Sequence, residues 1–314
     1  MQIIEGLPDE PLGENPVVTI GNFDGVHIGH QKIFRLAVEK AKELGGTPIA
    51  ITFNPHPVRV LAPERGMKLI TTLEHKRELI AKNGIKALIC LPFDKDFAKT
   101  EPDDFIRRIL VETIGAHWVI VGHSYSFGKG KKGTTALLRA SGRKYGFGVK
   151  VVRYAKVYDD IVSSSRIRSL VLRGRVCEAA RMLGRAYHID GTVIKGAGRG
   201  ASLLNIPTAN INTKNELIPK EGVYAVRVSF GSSIYDGVAN IGKNPTFGDV
   251  PMSYEAHLFD MNENLLGKNI RLHFIDRIRD EKKFSGVVEL IDHINKDISK
   301  AKQILSKRKD LLFL

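Results

Sequence analysis

The sequence predicts an α/β domain built on a parallel sheet, followed by an antiparallel β-barrel with a terminal helix. Three observations carry this. Apolar strand candidates alternate with helical patterns through the first half, as βαβ units require. From about residue 189 the pattern changes to short apolar runs separated by turns, several alternating in polarity. Between the first strand and the first helix lies a glycine-rich decapeptide, Gly21-Asn22-Phe23-Asp24-Gly25-Val26-His27-Ile28-Gly29-His30.

The strand candidates of the first half are 17–20, 48–53, 87–91, 118–122 and 149–153. Between them, 31–44 puts Ile33, Leu36, Ala37, Ala41 and Leu44 on one helical face, and 103–114 does the same with Phe105, Ile106, Ile109 and Leu110. A further helical stretch covers 166–173, and Cys177 to Tyr187 reads as a helix and a connection. The second half offers runs at 191–195, 222–230, 234–241, 254–259 and 269–278. In one of them Tyr224, Val226 and Val228 alternate with Ala225, Arg227 and Ser229. A closing helix over 285–307 carries Val288, Leu290, Ile291, Ile294, Ile298 and Ile304. The module boundary is expected at 185/186.

A length of 314 residues accommodates two domains, and a hydrophobic fraction of 43% is ordinary for a globular chain. No apolar run reaches the roughly 18 residues that span a bilayer, and the first residues lack the basic start and apolar core of a signal peptide. A cytoplasmic protein without a membrane partner is expected. Cys90 and Cys177 form no Cys-x-x-Cys pair and read as inert thiols. The 48 Lys and Arg exceed the 34 Asp and Glu by 14. Such an excess suits phosphorylated ligands, nucleic acid or an anionic surface. The clusters at 129–132 and 300–309 are not interleaved with aromatics and no RNA-binding signature is present, so nucleic acid is not expected as a partner. The oligomeric state stays open.

In parallel sheets, ligands sit beyond the carboxyl ends of the strands, so the turns there are informative. The decapeptide follows one such strand and opens a helix, where unpaired backbone N–H groups and the positive end of the dipole attract phosphate. Gly21, Gly25 and Gly29 permit close backbone approach. His27 and His30, three residues apart, project from one side of the first helical turn. A zinc site is disfavoured, because no third ligand follows at a recognised spacing.

The decapeptide resembles the nucleotidyltransferase signature in which His-x-Gly-His grips ATP. Its longer form, Gly-x-Phe-Asp-Gly-x-His-x-Gly-His, resembles that of the bacterial bifunctional riboflavin kinase and FAD synthetase family. The resemblance implies a nucleotidyltransferase-like, Rossmann-like first domain and a riboflavin kinase barrel. It implies ATP-dependent phosphorylation of riboflavin to FMN, then adenylylation of FMN to FAD with release of pyrophosphate. ATP, riboflavin, FMN and FAD would be substrates or products, with Mg²⁺ as the metal. By this resemblance His27 and His30 are catalytic, and Gly21, Phe23, Asp24, Gly25, Ser164 and Arg168 meet the ATP that donates the adenylyl group.

Further segments match in order. Thr52-Phe53-Asn54-Pro55-His56-Pro57 resembles the family's Thr-Phe-x-Pro-His-Pro, which implies flavin contacts at Phe53, Asn54, Pro55 and His56; the family often has an acidic residue at the Asn54 position. Val121 to Gly128 resembles Val-Gly-x-Asp/Asn-Phe-x-Phe-Gly, with Ser124 and Tyr125 as flavin-binding positions that depart from the usual residues. The loop 129–134 after it is either a phosphate contact or a solvated charge run. Val162 to Arg168 is similar to Ile-Ser-Ser-Thr-x-Ile-Arg. A serine there caps a helix and donates to phosphate, and an arginine one turn in forks onto phosphoryl oxygens.

In the second module Gly196-Ala197-Gly198-Arg199-Gly200 and Pro207-Thr208-Ala209-Asn210 resemble the kinase's nucleotide loop and metal signature. Kinase ATP contacts are implied at Gly196, Gly198, Pro207, Thr208 and Tyr224, and Mg²⁺ ligands at Thr208 and Asn210. Tyr254 to Asp260 resembles the segment whose glutamate, here Glu255, is the base toward the riboflavin 5′-hydroxyl. Arg277 to Phe284 resembles a segment near the flavin, with Arg279 and Phe284 as contacts. Before Pro207 the family shows Gly-Arg-x-Leu-Gly-Phe, whereas residues 201–206 read Ala-Ser-Leu-Leu-Asn-Ile. One alternative is therefore a monofunctional FAD synthetase with a degenerate kinase module. Another, of a different class, is a non-catalytic flavin-responsive RNA-binding regulator.

Overall fold

A computed structural model describes residues 1–196, 208–242, 252–261 and 263–308. Gly198, Pro207 and the 201–206 loop lie outside the described residues. The chain divides into two compact units, Met1–Ser164 and Ser165–Leu314.

The first unit is a six-stranded, fully parallel sheet. Its strands are β1 (Gln2–Glu5), β2 (Val17–Ile20), β3 (Pro48–Asn54), β4 (Ala87–Pro92), β5 (Trp118–Gly122) and β6 (Gly148–Val152), in the order β1-β4-β3-β2-β5-β6. All five expected strands are present; β1 was not expected and pairs with β4 at the edge. Every residue of β2 is buried, as a parallel sheet covered on both faces demands. Val18, Ile20, Ile49, Ile51 and Ile89 enter one core with Phe105, Ile106, Ile109 and Leu110. Ala50, Leu88 and Cys90 face the other side with Phe23, Phe34, Leu79 and Ile80.

Helix α1 (Ile28–Glu43) buries Ile33, Phe34, Ala37 and Ala41, the face read from its periodicity plus Phe34. It is followed by α2 (Pro57–Leu61) and α3 (Leu73–Lys82). Next, α4 starts at Pro102–Asp104 and widens into a π-helix over Phe105–Thr113. Helix α5 (Thr135–Tyr145) precedes β6, and a small hairpin, β7 (Lys156–Val157) and β8 (Asp160–Ile161), leads to α6 (Ser164–Leu172). The chain runs outward from β2 to β3 and β4, then returns to β5 on the other flank of β2. That reversal is a topological switch point, and the decapeptide emerges from it.

In the second unit α6 and α7 (Val176–Leu183) precede a closed antiparallel barrel. Its strands are β9 (Tyr187–Ile194), β10 (Ala209–Thr213), β11 (Gly222–Phe230), β12 (Ser233–Gly242), β13 (Ser253–Leu258) and β14 (Asn269–Arg279), in the order β10-β13-β12-β11-β14-β9, with β9 and β10 closing the ring. Tyr224, Val226 and Val228 are fully buried on one face of β11. The opposite face is covered too. Ala225 packs with Ala301 and Leu305 of the terminal helix α8 (Val287–Lys307), and Arg227 donates to the Leu305 and Arg308 carbonyls at its C-terminal end. The guanidinium thus satisfies carbonyls that a helix end leaves unpaired.

Candidate active site

The turn after β2 is tightly wound. Phe23, Gly25 and Val26 have φ of 49°, 81° and 39°, a left-handed region that costs a non-glycine residue about 1–3 kcal/mol. Asp24 offsets this. Its carboxylate is 3% exposed and accepts the Ile70 N–H at 3.0 Å and the Thr71 N–H at 3.3 Å. The Gly25 N–H donates to Thr71 Oγ1 at 3.3 Å, and Ser164 Oγ donates to the Asp24 carbonyl at 2.9 Å. Expected at the nucleotide, the Asp24 carboxylate is instead turned inward onto a neighbouring loop, and it latches the turn.

The latched turn delivers two imidazoles. His27 caps α1, its Nδ1 accepting the His30 N–H at 3.3 Å, which assigns the proton of the neutral ring to Nε2. The His27 and His30 rings stack with centroids 3.6 Å apart and 17° between planes. Phe23, 1% exposed, meets His30 edge-on at 5.3 Å and packs on Phe34. Burial, with the nearby His27 and Lys76, holds the His30 pKa well below its ordinary value, so His30 is neutral at pH 7. Its buried Nδ1 has no hydrogen-bond partner among the described residues. A stacked imidazole pair at a helix N-terminus, with His30 neutral, offers donors to an anion without a second desolvated charge. A Cβ on Gly29 would come within 3.1 Å of the His27 ring, and one on Gly21 within 2.9 Å of the Phe23 ring.

Beside this turn lies an aromatic group. Phe53, half-buried, meets Phe93 at 5.7 Å and Phe97 at 6.0 Å. Tyr125 stacks on Phe127 at 5.4 Å; burial raises its pKa, and its hydroxyl finds no partner among the described residues. Asn54 and Pro55 are exposed, joined by a cis peptide bond, and His56 caps α2 through Nδ1 to the Val58 N–H at 3.2 Å. Ser124 is exposed. Lys129 is paired with Glu101 at 3.1 Å, whereas Lys131 and Lys132 are solvated. Arg168 lies on α6 in the second unit, half-buried.

The barrel assembles its own polar row. Asn210 on β10 is in register with Glu255 on β13, which is in register with Asn240 on β12. Directly opposed residues share a face, with Cβ atoms about 4.5–5.5 Å apart. Thr208 immediately precedes β10, and all four residues are half-buried. A Cβ on Gly196 would fall 2.0 Å from Asn210 Nδ2, so the bare backbone there makes room for the amide. Hydroxyl, amide carbonyl and carboxylate oxygens are the donor set that Mg²⁺ prefers, and they fit that ion.

Tyr224, expected at the kinase nucleotide, is fully enclosed, and its hydroxyl is engaged by the Lys220 carbonyl and the Arg277 guanidinium. That enclosure makes it a core residue. Arg279 forks onto Asp297 of α8 at 2.7–3.1 Å, and its guanidinium lies 5.5 Å over the Phe284 ring. The sequence reading missed Thr71, Phe93, Phe97 and Lys76. Lys76 carries one legible signal: it lies three residues after Leu73 and three before Leu79, on an apolar stripe where a lysine is out of place.

Two family models match the chain, "FAD synthetase" over residues 10–166 and "Riboflavin kinase" over residues 183–305. The bifunctional riboflavin kinase/FMN adenylyltransferase of Bacillus subtilis is 37% identical over 292 residues, 91% of each chain. The Haemophilus influenzae protein of that name is 34% identical, covering 96% of this chain and 98% of its own, and the Escherichia coli K12 protein 30% identical, covering 98% and 99%. A solved structure from Streptococcus pneumoniae, described as a macrolide-efflux protein, matches with a TM-score of 0.86 at 28% identity over 98% of this chain and 99% of that one. Among the described residues no helix is long and apolar enough to cross a membrane. With relatives this similar over nearly its whole length, the chain belongs to the bifunctional riboflavin kinase/FMN adenylyltransferase family.

Proposed function

We propose that the chain makes FAD in two ATP-dependent steps, phosphorylating riboflavin to FMN on the barrel and adenylylating FMN in the α/β unit. The stacked His27–His30 pair at the N-terminus of α1, with His30 held neutral, carries this reading.

In the adenylyl step an FMN phosphate oxygen attacks the α-phosphorus of ATP, the bond to the β-phosphate oxygen breaks, and pyrophosphate leaves. No covalent intermediate on the protein is needed, so positioning and charge stabilisation supply the rate. His27 Nε2–H, His30 and the Gly21–Gly25 turn face the phosphoryl oxygens, and Ser164 Oγ braces that turn through the Asp24 carbonyl. Phe53, Asn54, Pro55 and His56, with Ser124 and Tyr125, form the flavin side.

In the kinase step the riboflavin 5′-hydroxyl attacks the γ-phosphorus and ADP leaves. Glu255 accepts the hydroxyl proton as the new P–O bond forms. Thr208 and Asn210 are the residues that would hold Mg²⁺, which neutralises charge on the phosphate oxygens. Arg279 and Phe284 border the flavin and Gly196 the nucleotide; Gly198 and Pro207, expected there from the family signature, lie outside the described residues. Two free cysteines and a need for ATP fit a cytoplasmic setting. Neither the monofunctional nor the RNA-binding alternative is favoured, since the family matches span both modules.

The test is product analysis. Purified protein with MgATP is given riboflavin or FMN, and the flavins are separated by chromatography. The reading expects FMN then FAD from riboflavin, and FAD from FMN. No product from either substrate overturns it, and FAD from FMN without turnover of riboflavin selects the monofunctional alternative.

A further inference from the structure

We propose that Lys76, buried between the Gly21–Gly25 turn and the end of β3, is a positioning residue of adenylyl transfer that clamps the turn to that strand and presents an amine to the site. This rests on the adenylyltransferase reading of the first unit.

Lys76 is 8% exposed on α3. Its ammonium donates to the Asn22 carbonyl at 3.4 Å and to Thr52 Oγ1 at 3.3 Å, and Thr52 Oγ1 donates to the same Asn22 carbonyl at 3.2 Å. The three groups form a triangle joining the turn after β2 to the C-terminal part of the neighbouring strand β3. Both lysine contacts are longer than the usual 2.7–3.2 Å, and an ammonium has three protons to donate.

Among the described residues no carboxylate lies within ion-pair distance of Nζ. A buried cation without a counterion is costly, and such a group normally pairs or loses its charge. Burial does lower its pKa, while the Asp24 carboxylate beyond ion-pair range acts to raise it. An incoming polyphosphate supplies the missing counterion. The same charge reaches His30, whose protonation it opposes. Lys76 therefore links loop geometry, site potential and the protonation state of His30. A plain loop brace would contribute only the first.

Lys76→Met keeps length and loses charge, and Lys76→Arg restores charge. Three readouts separate the roles: FAD formation from FMN, FMN formation from riboflavin, and the titration of His30 followed by NMR of labelled histidine. Lys76→Met is expected to lower kcat for FAD roughly 10–100-fold, on the scale of one lost preorganised donor, with riboflavin phosphorylation unchanged. The His30 titration should move up by the part that Lys76 contributes, with burial and His27 still holding it below the ordinary histidine range, and the acid limb of the pH–kcat profile should move the same way. Lys76→Arg should recover most of the rate and the low titration. Should Lys76→Met fail to fold, Lys76→Gln, which keeps a donor for Asn22, carries the same expectations. FAD turnover insensitive to Lys76→Met overturns the proposal, as does a loss of rate with the His30 titration unmoved. Absence of FAD from the unmodified chain overturns the adenylyltransferase reading instead.

Discussion

Asp24→Asn tests whether the inward latch, rather than the glycines alone, shapes the phosphate turn. The wild-type carboxylate takes the Ile70 N–H on both oxygens, at 3.0 and 3.2 Å, and the Thr71 N–H at 3.3 Å. The asparagine keeps one acceptor oxygen, places an NH₂ against donors where the other stood, and removes the charge assistance. Hydrogen bonds to a buried charge contribute about 1.5–3 kcal/mol each, so the variant should destabilise the first unit by roughly 2–3 kcal/mol. For a unit of this size that corresponds to about 4–12 °C in its calorimetric transition. The latch also opposes the strain of left-handed Phe23 and Val26, about 1–3 kcal/mol each. Relaxation of the turn displaces His27 and His30, and an ångström-scale misplacement costs on the order of 100-fold in rate. Calorimetry and the FAD-forming kcat/KM are measured on one preparation, with riboflavin phosphorylation as internal control. A transition within about 1 °C of wild type together with undiminished FAD formation would refute the latch.

Gly196→Ala should leave the barrel folded, because the atom its Cβ meets at 2.0 Å is the mobile end of Asn210. Displacing that amide should weaken the proposed metal site, so riboflavin kinase activity falls and is partly recovered at high Mg²⁺, while FAD formation from FMN is unchanged; steady-state assays across Mg²⁺ concentrations decide it. His273 predicts an acid-sensitive barrel. Burial first, then Arg271, Arg227 and Arg185, push its pKa down to about 3, so between that value and the unfolded 6.5 the unfolded chain binds more protons. Stability is therefore lost as pH falls through 6.5, by about 2 kcal/mol at pH 5, and urea unfolding followed by circular dichroism should show this slope flattened in His273→Gln.

The sheet was legible because β2 to β6 are apolar runs bounded by turn residues, and the barrel because β9 and β11 to β14 fall on apolar runs separated by turns, whereas β10 (Ala209–Thr213) carries no such run. Strand β1 escaped because Gln2–Glu5 is short and mostly exposed, with no apolar run to read. Helix α3 escaped because it buries His75 and Lys76 beside Leu79 and Ile80, so half of its inner face is polar. Strand order is set by crossovers that no local pattern encodes. The decapeptide announced His27 and His30 by spacing, yet the turn that delivers them is held at Gly25 by the hydroxyl of Thr71, 46 residues away and in no periodic relation. Lys76 belongs to the same class: its meaning lies in Asn22 and Thr52, which only the tertiary fold brings to it. Asp24 and Tyr224 show the reverse case, in which motif membership suggested ligand contact and burial assigned support.

Two separate chemistries on one chain are the central claim, and a single measurement tests it most directly: the flavins formed by His30→Ala from riboflavin and MgATP. FMN should accumulate and FAD should not form. Continued FAD formation, or failure to phosphorylate riboflavin in a variant whose barrel remains folded, would contradict it.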